Sequence, residues 1–116
     1  MTGVVGAMIN VAGSILNCDI ASDLESHDRG HRLFAYAYLY TRPDFGWLEG
    51  LVTAVVDRED TAFGQYWGIQ AIGKLILFRG TGQVSPEIKR RLVDFSSKVP
   101  EVSDRKYELN QIIGGL

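Results

Sequence analysis

The chain has 116 residues, 46% of them hydrophobic, which suits one domain (1–116) with its own core and excludes a disordered chain. A net charge of −2 excludes a general nucleic-acid binder, whose affinity rests on many phosphate contacts. The single cysteine, Cys18, excludes an intramolecular disulfide and fits a reducing, cytoplasmic setting.

Residues 1–18 carry no charged side chain. A secretory signal needs basic residues ahead of its apolar run, and none is present. The run is also too short and too interrupted by glycine for a membrane span. Val4, Met8, Val11 and Ile15 share one helical row, and Val5, Ala12 and Leu16 the next. A buried first helix is expected over 3–17, with no membrane contact. A polar connection follows, carrying Asp19, Asp23 and Glu25, with one helical turn at Ala21–Glu25. Ser26 is expected to cap a second helix from about His27 to Tyr40. Arg42-Pro43-Asp44 ends it, because the residue before proline avoids the α region.

Asp44 is suited to cap a third helix, Phe45 to Val56, whose rows are Trp47, Leu51, Ala54 and Leu48, Val52, Val55. Asp57 to Thr61 is expected as a short polar turn before a fourth helix, Ala62 to Phe78. Arg79 to Gln83, with two glycines, breaks the chain again. Ser85-Pro86-Glu87 combines a serine cap, proline at the first helical position and an acid in the first turn. The fifth helix carries Ile88, Leu92 and Phe95 and ends near Val99-Pro100. Ser103-Asp104 starts a sixth, Arg105 to about Ile113.

Tyr66-Trp67-Gly68-Ile69-Gln70-Ala71-Ile72-Gly73-Lys74-Leu75 is echoed by Tyr107-Glu108-Leu109-Asn110-Gln111-Ile112-Ile113-Gly114-Gly115-Leu116. Tyr, Gln, Ile, Gly and Leu recur in register, 107 − 66 = 41 residues apart. Self-similarity near that period is the signature of stacked helical repeats. The six helices pair as three hairpins, about 3–40, 44–79 and 85–116, superposing at offsets of 33 and 41. Helices two, four and six should then run parallel on one side. The 66–75 run resembles the second-helix signature of HEAT repeats. Arg32-Leu33-Phe34-Ala35 fits too, with Arg32 where that family often has arginine; helix four has Gln65 there. The resemblance implies an all-α superhelix of stacked hairpins and specifies no activity. An irregular six-helix bundle is the alternative architecture.

His27 and His31, four residues apart, would share a helix face and could chelate a metal. His27-Asp28-Arg29-Gly30-His31 resembles the H-E-x-x-H box of zinc proteases, with aspartate in place of the glutamate base. A metal-dependent hydrolase is therefore the enzymatic alternative, though no third ligand can be assigned. No phosphate-binding loop and no nucleophile elbow are present, and no cofactor is expected.

Charge points elsewhere. Asp19, Asp23, Glu25 and Asp28 fall at the first hairpin bend, and Asp57, Glu59 and Asp60 at the second. Stacking brings equivalent bends together, so an acidic edge that attracts a basic protein is expected. Tyr36, Tyr40 and Trp67 flank it as candidate contact residues. The chain is expected to be a small non-catalytic protein-binding module. In size, charge and build it is similar to bacterial immunity proteins and antitoxins. A homo-oligomer or scaffold is a further expectation, because end helices of a repeat stack invite self-association.

Overall fold

The computed structural model describes residues 20–116. The expected first helix over 3–17, Cys18 and Asp19 lie outside the described residues. Within them the chain is all-helical: α1 (Ile20–Glu25), α2 (Arg29–Thr41), α3 (Leu48–Thr53), α4 (Ala62–Arg79), α5 (Pro86–Lys98) and α6 (Asp104–Gly114). A 3₁₀ turn, Phe45–Trp47, leads into α3, and a π-helical turn, Ala54–Arg58, leaves it.

The helix starts follow from side chains that satisfy free N–H groups. Ser85 Oγ accepts from the Ile88 amide, with Pro86 at the head of α5. Ser103 does the same for Lys106 at α6, and Thr61 for Gly64 at α4. Asp44 caps the 3₁₀ turn through the Gly46 amide. At α2 the cap is Asp28, not Ser26: Asp28 Oδ1 accepts from the Gly30 and His31 amides at 2.7 and 3.2 Å. Ser26 Oγ instead accepts from the Asp28 amide, closing a tight turn two residues earlier.

The turn expected from Asp57 begins later, because the third helix continues through a π turn to Arg58. Its signature is the Glu59 amide donating back five residues to the Ala54 carbonyl at 2.8 Å. At the other end of α4, Gly80 has φ of 105°, a left-handed conformation that glycine alone adopts freely, and the helix stops there.

α4 is the central element, packed against α2, α3 and α6. Ile69, Ala71, Ile72 and Leu75 are fully buried, joined by Leu39 and Tyr36 of α2, Leu51 and Val52 of α3, Leu92 of α5 and Leu109 of α6. Gly68 is where α4 meets its neighbours most closely. A methyl group there would overlap Val55 Cγ2 and touch the Tyr36 ring. α5 is tied to the third helix by Arg91, whose guanidinium reaches Thr53 Oγ1 at 3.1 Å and Asp57 at 3.2 Å.

Helices α2, α4 and α6 form one parallel row. Along α2 and α4, Arg29 meets Asp60 just before α4, Tyr36 packs beside Gly68, and Lys74 covers Tyr40. Along α4 and α6, Gln65 meets Arg105 and Gly73 lies beside Ile112. Both sets of partners rise together in number, so neighbouring helices run in the same direction.

Candidate interaction surface

The bends before α2 and α4 do lie side by side. Arg29 Nε and Nη2 donate to the two oxygens of Asp60 at 3.0 and 2.8 Å. Beneath this exposed fork sits a buried ion pair. Glu59 has a side chain only 1% exposed, and that of Arg32 is 3% exposed. Arg32 Nε and Nη2 donate to Glu59 Oε1 and Oε2 at 3.2 and 3.3 Å. Tyr36 Oη donates to Oε1 at 3.0 Å and Thr61 Oγ1 to Oε2 at 3.3 Å. Arg32 Nη1 also holds the Ser26 carbonyl at 2.9 Å.

Gly64 makes room for that carboxylate, since a Cβ at this position would overlap it. The π turn contributes as well: its extra residue ends the third helix at Arg58, leaving Glu59 to turn inward. Burial, and then the Glu59 charge, push the Tyr36 hydroxyl well above its ordinary value, so it stays a donor. Among the described residues no buried side-chain nitrogen or oxygen lacks a partner. A network this complete binds the first two bends together and offers no open position to a ligand.

This geometry changes the expected acidic surface. Glu59 and Tyr36 are buried and cannot meet a partner directly. Asp57 is ion-paired with Arg91, and Asp60 with Arg29. That hydrogen-bonded guanidinium holds the Asp60 carboxyl below its usual range. The backbone amides of His31 and Gly30 do the same for Asp28, which caps α2. Asp23 is half-buried and engaged, while Glu25 is exposed on α1. The edge is therefore largely neutralised by its own cations.

The histidine pair also differs from expectation. α2 starts at Arg29, so His27 precedes the helix and the two imidazoles do not share a helical face. His31 Nδ1 lies 3.2 Å from Ser26 Oγ. Among the described residues, no three His, Cys, Asp or Glu side chains are grouped to hold a metal ion.

Tyr40 and Trp67 instead belong to a half-exposed aromatic strip on the α2–α4–α6 row. Trp67 meets Tyr40 edge-on, with centroids 6.1 Å apart, and Tyr66 at 5.5 Å. The Lys74 ammonium lies 5.0 Å from the centre of the Tyr40 ring. Burial, and then the negative charge of Glu108 and Asp104 on α6, raise the Tyr66 hydroxyl above its ordinary value. The Tyr66/Tyr107 echo marked this stretch in the sequence. Nothing in the sequence set Lys74, Asp104 or Glu108 beside this stretch: Lys74 reaches Tyr40 when α4 packs on α2, and Asp104 and Glu108 come with α6.

The chain matches no protein-family model, no curated protein and no solved structure. Among the described residues no helix is long and apolar enough to cross a membrane.

Proposed function

We propose that this chain is a small non-catalytic protein-binding module of stacked HEAT-like hairpins, which takes its partner on the α2–α4–α6 face. The observation that carries this reading is the strip Tyr40, Trp67, Tyr66: three large aromatics set edge to face and left half-exposed. Aromatics of this kind, rigid and apolar with a polar edge, supply most of the energy of protein interfaces. The repeated build is supported by equivalent positions in the second helices. Arg32, Gln65 and Lys106 are spaced 65 − 32 = 33 and 106 − 65 = 41 residues apart. Each bonds back to a neighbouring segment: Arg32 to the Ser26 carbonyl, Gln65 to that of Glu59, and Lys106 to that of Ser96. Blocking a toxin, as immunity proteins and antitoxins do, is one task for such a face.

The test compares proteins captured from lysate by the wild-type chain and by Tyr40→Ala/Trp67→Ala, with circular dichroism confirming the fold. A partner held by wild type and lost from the double variant is expected. Equal capture by both places the contact elsewhere.

A second reading, self-association, has its own observation. Val102, in the connection between α5 and α6, is 98% exposed, and Tyr107 of α6 is 64% exposed. Sedimentation of wild type against Val102→Glu/Tyr107→Glu tests it; a dimer abolished by the double variant is the expected result.

A further inference from the structure

At the C-terminal ends of α2 and α4 lies a groove of about 690 Å³, with Tyr38 of α2, Phe45 and Trp47 of the 3₁₀ turn, and Phe78 of α4 among its walls. Tyr38, Phe45 and Trp47 are half-buried, and Phe78 is 70% exposed. Aromatic surface is thus left that no described residue covers. Ile20, the first described residue, lines the same groove. The preceding chain is therefore joined to the protein at the groove itself.

The sequence on that side of Ile20 differs from the rest. Every charged side chain of the protein lies after residue 18. Before it come the apolar rows that include Val11, Ile15 and Leu16. Leu16 is only 20 − 16 = 4 residues from Ile20. Four residues of chain span up to about 13 Å, enough to carry Ile15 and Leu16 over the groove's walls. A tethered segment meets the groove at a higher effective concentration than a separate protein does. Having no charged side chain, it covers the aromatic walls without burying an ion.

We infer that the uncharged segment ending at Leu16 packs into this groove of its own chain, with Ile15 and Leu16 against Trp47 and Phe78. The groove shares no lining residue with the strip of Tyr40, Trp67 and Tyr66, so this contact is independent of the protein-binding function proposed above. Closed by its own chain, the groove is not a second docking site.

The test uses the full chain with Trp67→Phe, which leaves Trp47 as the sole tryptophan. Ile15→Asp/Leu16→Asp should shift its emission to the red and steepen its quenching by acrylamide, with circular dichroism showing the helices retained. Val102→Asp, at an apolar position exposed elsewhere, should change neither. A second measurement attaches a nitroxide through Ala12→Cys, with Cys18→Ser removing the only natural cysteine. The label should broaden the NMR signals of the Trp47 indole and the Phe78 amide, and Phe78→Asp should abolish the broadening. This second measurement puts no charge in the segment, so it decides the question if the double aspartate variant unfolds. Unchanged Trp47 emission and quenching in the folded double variant, or no broadening, would overturn the inference. Broadening that passes from nitroxide-labelled copies to isotope-labelled ones in a mixture would overturn it too, because the occupant is then a second copy.

Discussion

At the scale of single residues, the Arg32–Glu59 pair is the sharpest determinant. Removing one member leaves the other charged, buried and unpaired. Glu59→Ala should therefore cost about 3–5 kcal/mol in denaturant unfolding. Replacing Arg32 as well, by Met, should recover part of that loss, because no orphan cation remains. Asp28 tests the pH dependence. Its carboxyl is held below the ordinary value by the His31 and Gly30 amides, and Asp60 is held low by Arg29. Stability from a depressed carboxyl is present above its unfolded value and is lost as pH falls through the folded value. The acid limb of the stability profile should thus fall off below about pH 4. Asp28→Asn should flatten that limb while changing neutral stability little, since asparagine also caps helices. Unchanged acid dependence would remove Asp28 from the account. Arg32 was noticed in the sequence only as a repeat position. Its partner, 27 residues away, has no local signal; Glu59 looks in sequence like one more acid in a polar turn.

Among the elements, α4 holds the fold together. Ile72 is fully buried at its centre, and Ile72→Ala should cost about 2–5 kcal/mol through lost burial and the cavity left behind. A loss below about half a kilocalorie, the size expected of a surface change, would mean the register of α4 is wrong. Most helix ends were legible because their causes are local: Ser85 with Pro86, Ser103, Asp44 and the Gly80 stop each act within a few residues. Two were not. Ser26 and Asp28 are both good caps; in the fold Asp28 caps the helix, while the Ser26 hydroxyl takes the Asp28 amide and its carbonyl is held by Arg32. The π turn at Ala54–Arg58 has no periodic signature either. What accompanies it is the buried site waiting for Glu59, a tertiary feature.

Over the whole molecule, charge behaves differently at neighbouring positions of one bend. Reversing Asp57 and Asp60 to lysine breaks the pairs with Arg91 and Arg29 and the 3.5 Å contact of Asp60 with buried Arg32, and should lower the melting temperature only modestly because both carboxylates are exposed. Adding Glu59→Lys sets a second cation against buried Arg32 and should abolish cooperative melting. If the triple variant melts like the double, Glu59 is not buried as described.

The helical class, the five helices over 20–116 expected from periodicity and caps, and the parallel row of α2, α4 and α6 were already legible in the sequence. Each depends on spacing along the chain, and helical spacing alone puts apolar residues on one face. The fate of the charges was decided by the tertiary structure. Asp57, Glu59 and Asp60 look alike in sequence, yet one pairs with α5, one is buried against α2 and one forms the surface fork. Lys74 of α4 and Glu108 of α6, far apart in sequence, line one groove. Charges interact through distance, and the distance between residues far apart in sequence exists only once the helices are packed.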